Sequence, residues 1–478
     1  MPQTETAPET QSRNGRKPHT KPKKQGKNYQ NSVEPPNSKW NFSALLIDVS
    51  FFAIGMAFMD ANSILSLLLK RLGAEGLVIG AFATIRALAF CVVQIFVAYA
   101  THHLPRQKPA LVVAAGVTRL PMLFLPYFIW HAADSPAAQT TALIATIIIL
   151  SIWAFGDGLG YVPWMEIVAR VFSDRTRGRF FATTQLISGL VSIAIAGLLV
   201  RNILNSDVLP YPRNYALLFG LSAIMLQISM IGIFLLKENA KTVDPDQPKK
   251  QRPPLTDYFR RVPELMRSNP AFVRLSIIQL LVGFGNAAAP FYVLDVTRKF
   301  GLSDAWGATF QLMQAVGIML LIPLWNVVNE RFSPVAAIRS VAIACCLTPI
   351  IAFTLGSISP WLYGLSFMLM GGSLGWGMWI AVNNYLLVQV EEDERPIFIA
   401  LINLLYAPSA FFPMFGGLFF PQNKPILFAG IPLLFPITAT MIAIGVLLTF
   451  GLPKLDTNAE KVEKNTGENG EKSVGGSH

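Results

Sequence analysis

Four ionisable residues of the first half of the chain, Asp60, Arg86, Arg119 and Asp157, lie within otherwise apolar stretches. An ionised side chain among apolar groups is costly unless it is paired or reaches water. A carboxylate in such a place can bind and release a proton, and a guanidinium can pair with it or hold an anionic group of a ligand. These residue types therefore indicate a polar cavity or an ion pair between buried elements.

Two interpretations of these residues are open from the sequence. In the first, Asp60 or Asp157 changes protonation during a working cycle, while Arg86 pairs with it or holds an anionic group of the substrate. In the second, Arg86 and Asp157 form a permanent ion pair that ties helices together, and Asp60 is a carboxylate at a helix end in contact with water.

The apolar stretches of the second half contain six amides, which are Asn286, Gln311, Gln314, Asn383, Asn384 and Asn403. Amides donate and accept hydrogen bonds without a charge, which suits a polar neutral substrate such as a sugar-like or amide-bearing molecule. Gln311 and Gln314 share a helical face because of their spacing, and Trp376 and Trp379 offer rings for stacking on a ligand. Hydrogen bonds between helices and simple packing are the alternative roles.

The elements that carry these residues are long apolar runs. Of the 478 residues, 52% are hydrophobic and 14% are charged, which is far from the balance of soluble proteins. A helix needs about 20 apolar residues to cross the hydrocarbon core of a bilayer, and such long uniform runs favour helices over a barrel. We predict an all-α membrane protein with twelve spans, numbered span 1 to span 12, near residues 44–69, 75–99, 109–131, 140–168, 180–202, 214–236, 271–296, 305–328, 334–355, 360–388, 396–420 and 425–452.

The distribution of Lys and Arg predicts the orientation of these spans. The tails, and the connections on the same side as the tails, carry most of these residues. The positive-inside rule therefore places both termini in the cytoplasm of a multi-pass protein of the cell membrane, either plasma or inner membrane. Topology accounts for the formal charge of +11, and no nucleic-acid partner is expected.

Composition divides the chain into five segments. Residues 1–43 and 453–478 are polar and are predicted to be disordered cytoplasmic tails. Residues 44–236 and 271–452 are predicted to form two six-helix bundles, joined by a cytoplasmic central loop at residues 237–270. The second part of this loop places apolar side chains on one helical face, which predicts an amphipathic segment along the membrane surface.

Local similarities relate the two halves of the chain. A glycine- and tryptophan-containing segment recurs in spans 4 and 10, at residues 158–164 and 373–379. The turns that follow these spans also correspond, and so do the connections after spans 1 and 7, at residues 70–73 and 298–301. These matches favour two parallel repeats of six helices.

In its six plus six spans, cytoplasmic tails, long central loop and paired turns, the chain resembles the major facilitator superfamily over about residues 44–452. The resemblance implies two six-helix bundles around a central cavity, which rock to expose the cavity to either side of the membrane. It also implies that spans 1, 2 and 4 line the cavity while span 3 lies behind them, which makes Arg119 a structural residue.

The turns after spans 4 and 10 contribute a predicted cytoplasmic gate, made of Glu166, Arg177, Arg179 and Arg395. Such a gate would break as the two bundles rock. Positive-inside topology alone also explains arginines in this position, and this second interpretation stays open.

The expected function is secondary active transport of a small molecule by alternating access, coupled to a proton or another ion. The alternative is a non-transporting protein of the same fold, an assembly factor or membrane sensor that binds a partner. Because the sequence lacks a nucleotide-binding loop, a nucleophile elbow and metal-ligand spacing, no enzymatic activity, cofactor or metal is predicted. Expected partners are the substrate, membrane lipid and the coupling ion, and the chain is expected to be a monomer.

Overall fold

The computed structural model describes residues 34–101, 104–238, 263, 266–390 and 395–453. In the order of spans 1 to 6, the helices of the first half are Ser38–Phe58 and Ile64–Arg71; Gly76–Thr101; Lys108–Arg119 and Leu125–Trp130; Pro136–Val171; Asp174–Ala194 and Arg201–Leu204; and Arg213–Leu235. A 3-10 turn, Leu120–Leu123, joins the two helices of span 3, and a π-helical turn, Ile195–Val200, joins those of span 5.

The second half also contains six successive helical spans. In the order of spans 7 to 12, its helices are Pro270–Gly283 and Tyr292–Phe300; Ala305–Arg331; Pro334–Phe353; Pro360–Leu369 and Trp376–Gln389; Arg395–Tyr406 and Phe412–Gly417; and Leu434–Thr449. Its shorter helical turns are Phe284–Ala287, Ala289–Phe291, Leu355–Ser357, Met370–Gly375, Ala407–Phe411 and Pro421–Asn423.

Several of these helices begin with the same local signal, a capping residue followed by proline. Ser135, Asn269 and Ser333 each accept a hydrogen bond from a backbone N–H of the first helical turn. The proline that follows each of them fits the first helical position because it has no N–H that would need a partner. The starts of spans 4, 7 and 9 are therefore encoded locally.

Among the described residues, nine helices are long and apolar enough to cross a membrane, and two shorter apolar helices, Gly76–Phe90 and Leu434–Thr449, lie in spans 2 and 12. The chain is therefore a multi-pass membrane protein, and the predicted fold class is confirmed. The first 33 residues, most of the central loop with its predicted amphipathic segment, and the tail from residue 454 onward lie outside the described residues.

Span 1 begins earlier than its hydropathy indicates. Its first helix starts at Ser38, within the segment predicted as a tail, because polar side chains there bind the end of span 6. The Trp40 indole donates a hydrogen bond to the carbonyl of Leu235 at 2.8 Å. The Asn41 side chain donates to the carbonyl of Lys237 and accepts from its N–H. These hydrogen bonds to span 6 stabilise the additional helical residues, which hydropathy alone does not predict.

Span 12 begins later than predicted. Residues 425–433 are apolar, but they contain a two-stranded antiparallel hairpin, Leu427–Phe428 with Ile431–Pro432. Ala429 and Gly430 both have positive φ angles, of 50° and 80°, as the tight turn of a two-residue hairpin requires. The apolar run is therefore divided between a hairpin and a helix that starts at Leu434.

The turns after spans 1 and 7 have the same geometry, as two repeats would require. Gly73 and Gly301 lie in the left-handed region, with φ angles of 89° and 61°. In each turn the residue after the glycine donates its N–H to a carbonyl five residues back, at Leu69 and Thr297. This is the hydrogen-bonding pattern of a helix that ends on a left-handed glycine.

Among the described residues, the buried apolar side chains form three clusters. We call the side where span 1 begins and span 12 ends the tail side, and the opposite side the far side. One cluster is continuous across both bundles on the far side, from Phe58 and Leu68 to Phe291 and Phe310. On the tail side, each bundle has a separate cluster of its own. The two bundles therefore share a core on the far side.

Candidate functional site

An ion pair joins the two bundles on the far side. Arg71, at the end of span 1, contacts Asp304, before span 8, through Nε at 2.8 Å and Nη2 at 3.2 Å. The fully buried Tyr215 of span 6 donates its hydroxyl to the same carboxylate at 3.0 Å. Two residues of the first bundle thus hold one acid of the second.

Close helix packing accompanies this ion pair. A Cβ atom at Gly80 of span 2 would lie 2.2 Å from the carbonyl oxygen of Pro413 of span 11, and one at Gly76 would lie 1.9 Å from that of Phe420. Real Cβ atoms do not approach a carbonyl oxygen so closely, so only glycine permits this seam between spans 2 and 11. Across the seam, the N–H of Met414 donates to the hydroxyl of Thr84 at 3.2 Å.

The contacts between the two bundles are distributed unevenly between the far side and the tail side. Hydrogen bonds that join the described parts of the two bundles involve Asp304, Gln311 and Met414, which lie in the far half. Trp376 and Trp379 of span 10, in the tail-side half, have about half of their surface exposed, at 51% and 50%. On this side each bundle has a core of its own.

Span 1 is interrupted at Asp60, where the backbone leaves the helix between Phe58 and Ile64. The Asp60 carboxylate accepts hydrogen bonds from the N–H groups of Asn62 and Ser63 and, at 2.7 Å, from the Ser63 hydroxyl. It thereby satisfies backbone donors at the start of the second helix of span 1. This geometry matches the predicted helix-end carboxylate, and a proton-carrying role for Asp60 stays a prediction.

Arg86 of span 2 lies near this interruption. Its guanidinium interacts electrostatically with Asp60 but forms no hydrogen bond with any described residue. It lines a cavity of about 10 Å³ together with Asn62 and Ser66 of span 1 and Pro290 of span 7, a volume that in this structure corresponds to roughly one water molecule. A half-buried guanidinium with free donors beside a cavity can bind an anionic or strongly accepting group.

Asp157 has a different partner from the one predicted. It interacts electrostatically with Arg119 of span 3, so the predicted pair of Arg86 with Asp157 is not present in this structure. Arg119 is buried and donates to the hydroxyl of Ser229 at 2.6 Å and to the carbonyl of Leu226 at 3.3 Å, both on span 6. These bonds orient the guanidinium towards the interior of the first bundle.

The same cluster contains Asp48, a residue that sequence reasoning missed. Asp48 of span 1 is 5% exposed, accepts a hydrogen bond from the Trp164 indole at 3.0 Å, and also interacts with Ser229, Arg119 and Asp157. The signal was present, because Asp48 stands alone in an apolar run like the other acids. The carboxylates of the buried Asp48 and the half-buried Asp157 therefore both interact with one guanidinium.

The second half also has a charged group within a predicted span. Asp295, near the far end of span 7, is 1% exposed. It pairs with Arg298 at 3.1 Å and accepts a hydrogen bond from the Tyr363 hydroxyl at 3.2 Å. This ion pair lies within one helix end rather than in the middle of a span.

The predicted amides occupy several kinds of position. Gln311 is 2% exposed and donates its Nε2 to the carbonyl of Ala57 at 2.6 Å, which joins span 8 to the end of the first helix of span 1. The Oε1 atoms of Gln311 and Gln314 are buried and have no hydrogen-bond partner among the described residues. Asn286 donates to the Tyr406 hydroxyl at 3.1 Å, a link between spans 7 and 11 of one bundle.

The aromatic and amide residues of span 10 lie along its tail-side half. Trp376 and Trp379 contact each other edge to face, with ring centroids 6.3 Å apart. The side chain of Asn383 donates back to the carbonyl of Trp379 at 2.8 Å, whereas Asn384 forms no side-chain hydrogen bond with described residues. Their binding roles stay predictions.

Among the predicted gate residues, Glu166 has a partner within its own helix. Glu166 pairs with Arg170, one turn later on span 4, at 3.0 Å. Arg170 also contacts the buried carboxylate of Glu238 at 3.1 Å, and Glu238 accepts from the N–H groups of Gln107 and Lys108 at the start of span 3. Glu166 therefore belongs to a network within the first bundle.

The remaining predicted gate residues lie on spans 5 and 11. Arg177 is partly buried and Arg179 is exposed, both in the first turns of span 5. Arg395 begins the helix of span 11, and its side chain lies outside the described residues. A gate between these residues in another conformation stays a prediction.

Comparison with known proteins places this architecture in a family. The sequence model of the Major Facilitator Superfamily matches residues 47–414, and the chain therefore belongs to this superfamily of transporters. Among curated proteins, no sequence match is found.

Solved structures share the fold at low sequence identity. A variant of the nucleoside transporter NupG is 10% identical with a TM-score of 0.64, covering 86% of this chain and 99% of its own. A D-xylose-proton symporter is 14% identical with a TM-score of 0.61, covering 87% and 98%. A bacterial homologue of the iron transporter ferroportin in an inward-facing state is 11% identical with a TM-score of 0.62, covering 86% and 98%. At such identities the likeness shows the fold alone, and family membership supports transport as the general function.

Proposed function

We propose that the protein is a secondary active transporter that moves a small polar molecule by alternating access, with energy from a proton or another ion. The contacts that join the two bundles on the far side, through Arg71 and Asp304, together with the separate cores on the tail side, carry this proposal and support a cleft that opens on the tail side. Polar groups with free hydrogen-bonding capacity lie near the closed end of the cleft. This is the arrangement that a carrier needs in one of its two end states.

The chemistry of the cleft favours a substrate with both acceptor and donor groups. The Arg86 guanidinium offers free donors to an anionic or strongly accepting group, and the buried oxygens of Gln311 and Gln314 offer acceptors to hydroxyl or amine groups. A buried acceptor without a partner is costly, so a donor from a ligand would be favoured there. Hydroxylated or amide-bearing organic molecules that carry an acidic group satisfy both requirements.

Energy coupling is assigned to the cluster of Asp48, Arg119 and Asp157. Two carboxylates and one guanidinium in a buried site leave one negative charge uncompensated if both acids are ionised. Such a charge costs several kcal/mol in a low-dielectric interior. A proton or a monovalent cation bound between Asp48 and Asp157 removes this cost, and its release can be linked to a change of conformation.

The orientation follows from the distribution of positive charge. With both termini in the cytoplasm of a protein of the cell membrane, the tail side is the cytoplasmic side, and a closed far side corresponds to an inward-facing state. The transporting unit is proposed to be a single chain.

Ligand-dependent thermal stability of the detergent-purified protein tests the proposed substrate class. A compound that binds the native state raises the apparent melting temperature once its concentration exceeds its dissociation constant. We expect a hit among amino acids or organic acids, which carry the proposed acidic group, rather than among neutral sugars or nucleosides. Its dissociation constant should rise about tenfold or more in Arg86→Gln, because a charge-assisted hydrogen bond is lost.

Arg213→Gln is the matched control, since Arg213 is an exposed far-side arginine that stacks on Trp130, 5.1 Å from the ring centroid, within the first bundle. It should bind the hit like the unmodified protein. A hit that is equally weakened by both substitutions, or no hit in the whole library, would contradict the assigned site.

The coupling cluster is tested by the pH dependence of transport into proteoliposomes. Asp48→Asn and Asp157→Asn each remove the need for the extra proton, so a proton gradient should no longer drive accumulation while downhill exchange continues. Asp295→Asn, which alters a buried acid of the other bundle, should keep the gradient response. Unchanged proton-driven accumulation in both cluster variants would rule out this cluster as the coupling site.

A further inference from the structure

A polar cavity of about 80 Å³ lies on the far side, at the seam between span 5 of the first bundle and span 8 of the second. It is lined by Arg201, Asn205, Ser303, Ala305, Trp306 and Thr309. A cavity needs roughly 10–15 Å³ of such volume to hold one water molecule. The seam cavity is therefore large enough for a small polyatomic group, and it shares no lining residue with the cavity beside Arg86.

Span 5 directs two polar side chains to this cavity. The π-helical turn Ile195–Val200 precedes Arg201, and inserted turns of this kind change the direction of the side chains that follow. Arg201 and Asn205 are one helical turn apart and share a face. Neither side chain forms a hydrogen bond with the residues that the structure describes, so their donors are available to a ligand.

Span 8 supplies a buried hydroxyl to the same cavity. Thr309 is 7% exposed, and its hydroxyl forms no hydrogen bond with any described residue. Other buried threonines of this chain, such as Thr146 and Thr297, donate to the carbonyl four residues back. The free hydroxyl of Thr309 is therefore an unpaired polar group that points to a ligand in the cavity.

The start of span 8 adds a favourable field for negative charge. Ala305 and Trp306 are the first residues of its helix, where backbone N–H groups and the helix dipole favour an anion. Asp304 precedes them, but its carboxylate is engaged by Arg71 and Tyr215 and forms no capping bond with the helix. The charge facing the cavity is thus the cation of Arg201.

We propose that the seam cavity is a binding site for a phosphate group. Arg201 neutralises the charge at the mouth of the cavity, Asn205 and Thr309 donate hydrogen bonds, and the start of span 8 completes the site. The phosphate comes either from the headgroup of an anionic lipid or from free inorganic phosphate. A lipid can reach the site because the exposed apolar residues Leu198 and Leu199 precede Arg201 at a seam that borders the membrane.

The site has a conformational consequence because its two walls belong to different bundles. The walls meet only while the far side is closed, so the ligand binds this state more tightly than a state in which the bundles part there. A ligand with such a difference in affinity shifts the equilibrium towards the closed far side. The site is therefore regulatory, and its existence does not depend on the identity of the transported substrate.

The first arm of the test titrates the full-length, detergent-purified protein with inorganic phosphate at constant ionic strength and follows binding by calorimetry. Arg201→Gln should weaken binding about tenfold or more, and Thr309→Val about threefold to tenfold, from the loss of one charge-assisted and one neutral hydrogen bond. Arg201→Lys keeps the charge and should stay within about threefold of the unmodified protein. Arg213→Gln should have no effect.

The second arm measures lipid binding by native mass spectrometry, with the protein in micelles that contain phosphatidylglycerol or phosphatidylcholine. A retained phosphatidylglycerol adduct that is lost in Arg201→Gln and kept in Arg213→Gln identifies the lipid as the source. Binding of inorganic phosphate alone identifies the free anion. If neither ligand binds, or if both bind Arg201→Gln as well as the unmodified protein, the proposal is overturned.

Discussion

The ion pair between Arg71 and Asp304 is expected to hold the far side closed. Asp304→Asn removes the negative charge but keeps the shape of the side chain. It weakens two guanidinium contacts, at 2.8 and 3.2 Å, and the bond from Tyr215 at 3.0 Å. In a state with the far side open, these partners face water and lose nothing by the substitution. The substitution therefore destabilises only the conformation in which the far side is closed.

The magnitude follows from the exposure of the partners. The Arg71 side chain is 50% exposed, so solvent screens much of its attraction, while Asp304 is 13% exposed and Tyr215 is fully buried. An exposed pair contributes about 0.2–1 kcal/mol, and a hydrogen bond to a charged group somewhat more. We expect Asp304→Asn to cost the closed state about 1–2 kcal/mol, which shifts the equilibrium about fivefold to thirtyfold towards the open far side.

Distance measurements between spin labels on the two bundles provide the assay. Val208 and Ile358 lie in far-side connections of the first and second bundle and are exposed by 86% and 71%, so both accept a label in a background without the native cysteines. The population of long distances should rise in Asp304→Asn. Asp134→Asn, which breaks an exposed pair with His131 inside one bundle, should leave it unchanged. An unchanged distribution in Asp304→Asn, or an equal change in the control, would refute the reasoning.

Three further predictions concern the seam, the tail side and the start of span 1. Gly80→Ala places a methyl group against a backbone carbonyl at 2.2 Å and should open the far side in the same distance assay, whereas Gly178→Ala, with no atom within 4 Å, should not. Glu238→Gln removes a buried charge that accepts several hydrogen bonds and should destabilise the protein by about 2–4 kcal/mol. Its melting temperature should therefore be lower than that of the control Glu330→Gln, which changes an exposed residue. Hydrogen bonds from Ser173 and Thr176 lower the pKa of Glu34 to about 2. The stability that these bonds contribute is therefore present above about pH 4.5 and lost as the pH falls towards 2. Glu34→Gln should lose less stability over this pH range, and parallel pH profiles of the variant and the unmodified protein would contradict the assignment.

The fold was predictable because hydropathy is a local property of the chain. Each of the twelve apolar runs corresponds to a helical stretch, since a bilayer requires long apolar helices whatever their partners are. The two largest errors have physical causes that hydropathy does not record. Span 1 starts at Ser38 through bonds to span 6, and the run at residues 425–433 forms a hairpin because Ala429 and Gly430 adopt a tight turn.

The candidate site was only partly predictable. Ionisable residues within apolar runs can be found by inspection, and Asp48 meets that criterion although it was overlooked. Which of these charged residues pair with each other cannot be predicted in the same way, because the pairing depends on how helices distant in sequence are rotated about their axes. Arg119, interpreted as structural, faces both Asp48 and Asp157, whereas Arg86 faces Asp60. A sequence shows which charges are buried but not which of them meet.

The two seams that close the far side differ in their contacts: one consists of backbone contacts, and the other of side chains around a cavity. This difference allows the first seam to define the closed position and the second to respond to the proposed ligand. Between spans 2 and 11, Gly76 and Gly80 bring backbone against backbone, so no side chain can adjust and the contact is either made or broken. Between spans 5 and 8, Gly197 faces the flexible side chain of Leu312, and the seam leaves a polar cavity beside Arg201. The rigid seam fixes the geometry that the adaptable seam would need for the proposed ligand, so we expect occupation of the cavity and closure of the far side to reinforce each other.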